Sequence, residues 1–273
     1  MSKLFLKYYL KSELRSKYLW GWSIAFMVFW LILGVAAISQ KAAFFSTLEA
    51  KLSYAASWYS TVVIVGLGSA AVGLSYEFVY SSIAARYLTK YSRLTSSKLY
   101  AGLLVGFIIV CIIVAAILFT ITYLLYSWRL GANLLPANPP GLIAATIATG
   151  IMLYTFAATI MYAMIALRKT GMMYFAAYLP MILALGLGIT QVYVNLGWVI
   201  VASPFNAAET LLYCYYSGVE PRLASFIHYE SGQVISPILL WCSLLAWTAG
   251  LSLLAILFLR LQKGVGVEEL RLF

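Results

Sequence analysis

EFVYSSIAARYLTKYSRLTSSKLYAG, residues 77–102, is a polar, basic interruption between two long apolar runs. Arg86, Lys90, Arg93 and Lys98 stand in it among serines, threonines and tyrosines. An apolar run of about 20 residues crosses a hydrocarbon core of roughly 30 Å as a helix rising 1.5 Å per residue. The stretch therefore reads as the connection between two crossings, not as part of a soluble core. The rest of the chain agrees: of 273 residues 64% are hydrophobic and 10% charged, against about a quarter charged in an ordinary soluble domain. Too little polar surface remains to cover a water-soluble globule, so the protein is integral to a membrane. The apolar runs are far longer than the ten-residue alternating strands of a barrel, and the fold class is all-α and polytopic.

Working outward from residues 77–102, six spans are expected, at 19–38, 58–76, 99–126, 142–167, 172–193 and 238–259. Residues 196–202 are apolar but too short to cross, and read as re-entrant or interfacial. No soluble domain fits, so residues 1–273 form a single transmembrane domain. It carries an interfacial helix at 1–18, a polar connection at 77–98 and a re-entrant region at 194–237. Lysine and arginine set the orientation. With the N-terminus inside, fourteen basic residues fall on the cytoplasmic side and four, Lys41, Lys51, Arg129 and Arg222, outside. Both termini are then cytoplasmic, in a cell membrane. The net charge of +10 is explained by this flanking of apolar runs and calls for no nucleic-acid partner.

Local patterns refine the picture. Lys3, Lys7, Lys11 and Arg15 recur every four residues with Phe5, Leu6 and Tyr9 opposite, the pattern of an amphipathic helix on the lipid surface. The run after it is too long for a signal-peptide core and lacks an A-x-A site, so it is expected to stay as the first span. Ile83, Tyr87, Tyr91 and Leu94 form an apolar stripe flanked by Arg86, Lys90 and Arg93. That suits either a helix lying on lipid or one docking in a partner's groove. Ser96 or Ser97 is positioned to cap the helix that follows. LGANLLPANPPG is an outer turn and RKTG a tight inner one. GLGSAA (66–71) and GLLVG (102–106) are small-residue patches for close helix packing.

Much chemistry is excluded. The chain has no aspartate and one histidine, His228, which removes aspartyl intramembrane proteases, aspartate-cluster phosphotransferases and H-E-x-x-H zinc sites. No metal site is expected. No G-x-x-x-x-G-K-[ST] loop is present, so ATP is not bound by a P-loop here. Cys111, Cys214 and Cys242 are scattered, without disulfide or metal spacing. The six spans contain no Glu, Lys or Arg in their interiors, which weighs against an ion-coupled carrier. Their polar content is hydroxyl and amide: Thr61, Thr120, Thr122, Thr146, Thr149, Thr155, Thr159 and Gln191. Each threonine is expected to bond back to its own helix. Pro180 with Gly186 and Gly188 marks a bend in the fifth span.

Several features together resemble the permease of ABC-2 type exporters. They are the amphipathic N-terminus, six spans, Glu77 ending the second span, a basic helix with Tyr87 and Leu88, and the turn Leu94-Thr95-Ser96-Ser97-Lys98. That turn lacks the proline common in the family. ASPFNAAETLLYCYYSG (202–218) resembles the family's outer segment, with Ser203 as cap and Pro204 at the first helical position. The resemblance implies two permease chains, identical or different, and two cytoplasmic ATPase subunits that hold ATP and Mg²⁺. This chain would then be no enzyme and bind no cofactor. Glu77, Arg86, Tyr87, Lys90, Tyr91, Arg93 and Leu94 would couple to the ATPase. Thr61, Tyr178 and Gln191 would line the route, and Ser203, Pro204 and Phe205 would belong to the outer gate. The alternatives are a secondary carrier and a non-transporting assembly factor.

Overall fold

Every apolar run folds as a helix, and several extend well past the length a bilayer requires. A computed structural model describes residues 3–17, 19–38, 47–91 and 95–261. The chain is an all-α, multi-pass membrane protein with six helices long and apolar enough to cross.

Helix α1 (Lys3–Arg15) is followed by a π-helical stretch, Leu19–Ala25, that runs into α2 (Phe26–Ile38). The wide π turn brings the Ser23 carbonyl against α3 (Leu48–Tyr80) at Gly66, where an added Cβ would sit 3.2 Å from that oxygen. Helix α3 is the axis of the bundle and is buried along most of its length. After a break at Ser81 comes α4 (Ser82–Tyr91), then α5 (Ser96–Leu130). Thr95, not Ser96 or Ser97, caps α5. Its extended backbone precedes the helix and its hydroxyl accepts from Lys98 N at 3.3 Å, whereas both serines are already inside the first turn. Gly131, at φ 61°, ends α5 in the left-handed conformation that glycine tolerates. Asn138 and two prolines start α6 (Pro139–Ala166). A tight turn, with Arg168 at φ 53°, leads to α7 (Met173–Tyr193).

Residues after α7 fold back between α6 and α10 before α10 begins. The chain passes α8 (Val199–Ala202) and reaches Ser203, the cap of α9 (Pro204–Ser217). There the Phe205 ring meets Phe156 at 5.3 Å, seventeen residues or about 26 Å along α6. Trp247, on α10 (Pro237–Leu261), donates to the Ala202 carbonyl at 2.8 Å. From that depth α9 climbs back until Tyr216 Oη bonds the Leu134 carbonyl at 3.0 Å in the loop before α6. A two-stranded ribbon, β1 (Arg222–Leu223) with β2 (Gln233–Val234), crowns this side. Periodicity does not announce strands of two residues. Tyr229 ties the ribbon down by donating to the Glu220 carbonyl at 2.9 Å and accepting from Arg222 N at 3.1 Å.

Small residues set the helix crossings. A Cβ on Gly68 would lie 3.1 Å from the Pro180 carbonyl oxygen and 3.2 Å from Ala184 Cβ, so α3 and α7 touch backbone to backbone. Gly102 and Gly106 are buried inside the bundle, which assigns GLLVG to internal packing. Of the eight polar side chains flagged in the spans, six threonines bond a carbonyl on their own helix, whereas Thr61 and Gln191 bond side chains of α9.

Candidate functional site: two cavities along one helix

Successive stretches of α3 line two cavities. Ala50, Tyr54, Trp58, Thr61 and Val65 recur at helical spacing along a cavity of about 640 Å³, open toward the α9 side. Gly73, Tyr76, Glu77 and Tyr80, about a quarter turn round the helix, line a second of about 490 Å³, on the side bearing α1 and α4. Val65 and Gly73 are eight positions apart, about 12 Å of helix. There Gly68 sits against α7, closing the way between the two.

The α9-side cavity has a wall of aromatic residues, Trp30, Tyr54, Trp58, Tyr193 and Phe226, with the hydroxyl side chains Ser53, Ser57 and Thr61 and apolar side chains filling the rest. Behind it is a buried polar cluster. Asn206, Glu209 and Thr210 share one face of α9 by their i, i+3, i+4 spacing, and all three are fully buried. Thr61 Oγ1 donates to Glu209 Oε1 at 2.7 Å. Gln191 donates to Thr210 Oγ1 at 2.5 Å and accepts from Asn206 Nδ2 at 2.7 Å. Glu209 Oε2 and Asn206 Oδ1 have no hydrogen-bond partner among the described residues. Burial holds the Glu209 carboxyl above the usual carboxylate range, with the Thr61 bond pulling weakly the other way. The spans expected from the sequence have no Glu, Lys or Arg in their interiors, but α9 brings Glu209 beside Thr61, the fourteenth residue of α3.

On the opposite side the buried face of α1 carries Tyr9 and Glu13, while Lys7, Lys11 and Arg15 are exposed. The basic stripe is therefore as expected, but the opposite face is not purely apolar. Glu13 and Glu77 of α3 line this cavity together with their carboxyl groups close enough to interact, and two carboxyl groups so placed resist ionising together. Burial raises the Glu13 pKa above its ordinary range. Burial, then the nearby Glu13 and Glu77, raises that of Tyr9, whose hydroxyl has no hydrogen-bond partner among the described residues.

The sequence-derived residues distribute as follows. Thr61 lines the α9-side cavity, and Gln191 lies just behind it in the polar cluster. Tyr178 is elsewhere, its ring 6.3 Å from Tyr76 near the other cavity. Ser203 caps α9, accepting from Asn206 N at 3.4 Å, and Pro204 and Phe205 are buried at the start of α9, where Phe205 meets Phe156 of α6. Glu77 faces α1, while Arg86 and Tyr87 are exposed on α4. Lys90 and Tyr91 belong to α4 with side chains outside the described set, and Arg93 and Leu94 lie outside the described residues. Sequence reasoning missed Glu209 and the Glu13–Glu77 pair. The spacing of Asn206, Glu209 and Thr210 on one face of a Pro-initiated helix is the signal for the first. Comparison of the chain with models of known protein families finds no match, and comparison with curated proteins finds none either.

Proposed function

We propose that this chain is the membrane subunit of an ATP-binding cassette exporter, with the translocation route along α3 and α7. The observation that carries the reading is the pair of cavities lined by successive stretches of α3, with Gly68 packed against α7 between them. That is the arrangement alternating access requires. In this reading the side bearing α1 and α4 faces the cytoplasm, where the positive-inside rule puts it, and ATP and Mg²⁺ belong to a separate ATPase. A second permease copy, identical or not, completes the route.

Coupling has a mechanical basis. Only Ser81 separates α3 from α4, and the hydrogen bonding continues through it: Ser81 N donates to Glu77 O and Ala85 N to Ser81 O, each at 2.8 Å. A push on α4 is therefore delivered to the helix that lines both cavities. Tyr87, 61% exposed, with Arg86 beside it offers an aromatic anchor with basic neighbours to an acidic groove.

The experiment is co-purification with a candidate ABC ATPase, followed by vanadate-sensitive transport in vesicles. Tyr87→Ala combined with Arg93→Glu is expected to abolish complex formation while membrane insertion stays normal. A complex of unchanged stoichiometry in the double variant overturns the docking role. A secondary carrier is the second reading, favoured by the buried Glu209. Transport by the chain alone, driven by an ion gradient without ATP, would establish that reading instead.

A further inference from the structure

The α9-side cavity combines features that point to one ligand chemistry. Its wall carries five aromatic rings, from Trp30, Tyr54, Trp58, Tyr193 and Phe226, and none of its lining residues bears a charge. Lys51, adjacent to the wall residue Ala50, is engaged with the Leu130 carbonyl oxygen at 2.9 Å. Behind the wall is one carboxyl group, Glu209, fully buried, with one oxygen unpartnered among the described residues. Two small barriers separate it from the cavity. Thr61 belongs to the wall and donates to Glu209. Gly188 lies on α7 between the wall residues Leu185, Ile189 and Val192, and a Cβ there would meet the two carboxylate oxygens at 3.3 and 3.4 Å. Rotation of the Thr61 side chain, with no side chain at Gly188, opens the carboxylate to the cavity.

Aromatic faces attract cations through the ring quadrupole, most strongly where water is excluded, and a buried carboxyl without a cationic neighbour lacks its natural partner. We propose that this cavity binds amphipathic monovalent organic cations, the rings clasping the apolar body and Glu209 supplying the counter-charge. The inference deepens the transport reading by naming the substrate class, and rests on that reading only for the movement of the bound cation. Binding itself belongs to this chain alone. Anionic lipophiles are excluded by the same charge, and neutral ones bind through the rings without using Glu209.

The test is equilibrium dialysis of the purified, full-length chain in nanodiscs, with tetraphenylphosphonium and its isosteric anion tetraphenylborate. Wild type is expected to prefer the cation by tenfold or more over empty nanodiscs and over the anion. Glu209→Gln is expected to remove that preference, and Trp58→Ala to weaken cation binding several-fold. Gly188→Ala keeps the charge but places a methyl group against the carboxylate oxygens, and is expected to reduce cation binding while the chain stays folded. It keeps the question answerable should Glu209→Gln fail to fold. Equal binding of cation and anion by wild type overturns the proposal, as does cation preference surviving within twofold in Glu209→Gln or, where that variant does not fold, in Gly188→Ala. Because no ATPase is present, failure here leaves the exporter reading standing. Intact binding without ATP-driven transport overturns the exporter reading alone.

Discussion

Replacing Thr61 by Val removes one hydroxyl and keeps the shape of the side chain, so its consequences isolate a single hydrogen bond. Thr61 Oγ1 donates to Glu209 Oε1 at 2.7 Å, and Glu209 Oε2 already has no partner among the described residues. In Thr61→Val both oxygens of a fully buried carboxyl are unpaired. Leaving a buried polar group unsatisfied costs about 1–3 kcal/mol, and the isosteric exchange adds little packing change, so destabilisation of about 1–3 kcal/mol is expected. The assay is a double-mutant cycle with Glu209→Met, read by reversible unfolding in mixed micelles. In the Glu209→Met background Thr61→Val has no carboxyl to orphan, and its cost should fall to about zero, giving a coupling of about 1–3 kcal/mol. Equal costs in the two backgrounds would refute the assignment of Thr61 as the support of Glu209.

Two further outcomes follow from the other contacts. The Glu13 pKa is raised where α1 is docked, so the docked state binds protons more tightly than the undocked one. Its contribution to docking is complete below the ordinary carboxylate range and is lost as pH rises through the docked-state value. Hydrogen exchange of α1 amides, corrected for intrinsic rates, should accelerate toward alkaline pH, and Glu13→Gln should flatten that dependence; an unchanged slope would count against the carboxyl pair. Gly68→Val places branched carbons where the Pro180 carbonyl oxygen and Ala184 Cβ already stand 3.1 and 3.2 Å from a Cβ position. The expected cost is about 1–3 kcal/mol of overpacking, seen as a lower unfolding midpoint, and a neutral result would mean that α3 and α7 do not cross at this glycine.

What the amino-acid sequence determined by itself is the set of features whose causes are local. Long apolar runs must become helices because a bilayer core offers backbone groups no other partners. Lysines and arginines at four-residue spacing make the exposed stripe of α1. Ser203 followed by Pro204 starts α9 because a hydroxyl acceptor and a fixed φ suit a helix start. Small residues at 66–71 and 102–106 become helix contacts because nothing else allows backbones so close. Features that depend on partners far apart along the chain were decided by the tertiary structure. Thr61 and Glu209 are 148 residues apart, and Glu13 and Glu77 belong to helices whose docking no periodicity encodes. The segment between α7 and α10 showed its shortness in the sequence, but its depth follows from Phe205 meeting Phe156 and Trp247 meeting Ala202. That depth turns a glutamate on an apparent outer loop into the buried charge site behind a cavity. Patterning records which face of a helix avoids water or lipid, whereas the choice of which polar group answers another is made when the helices pack.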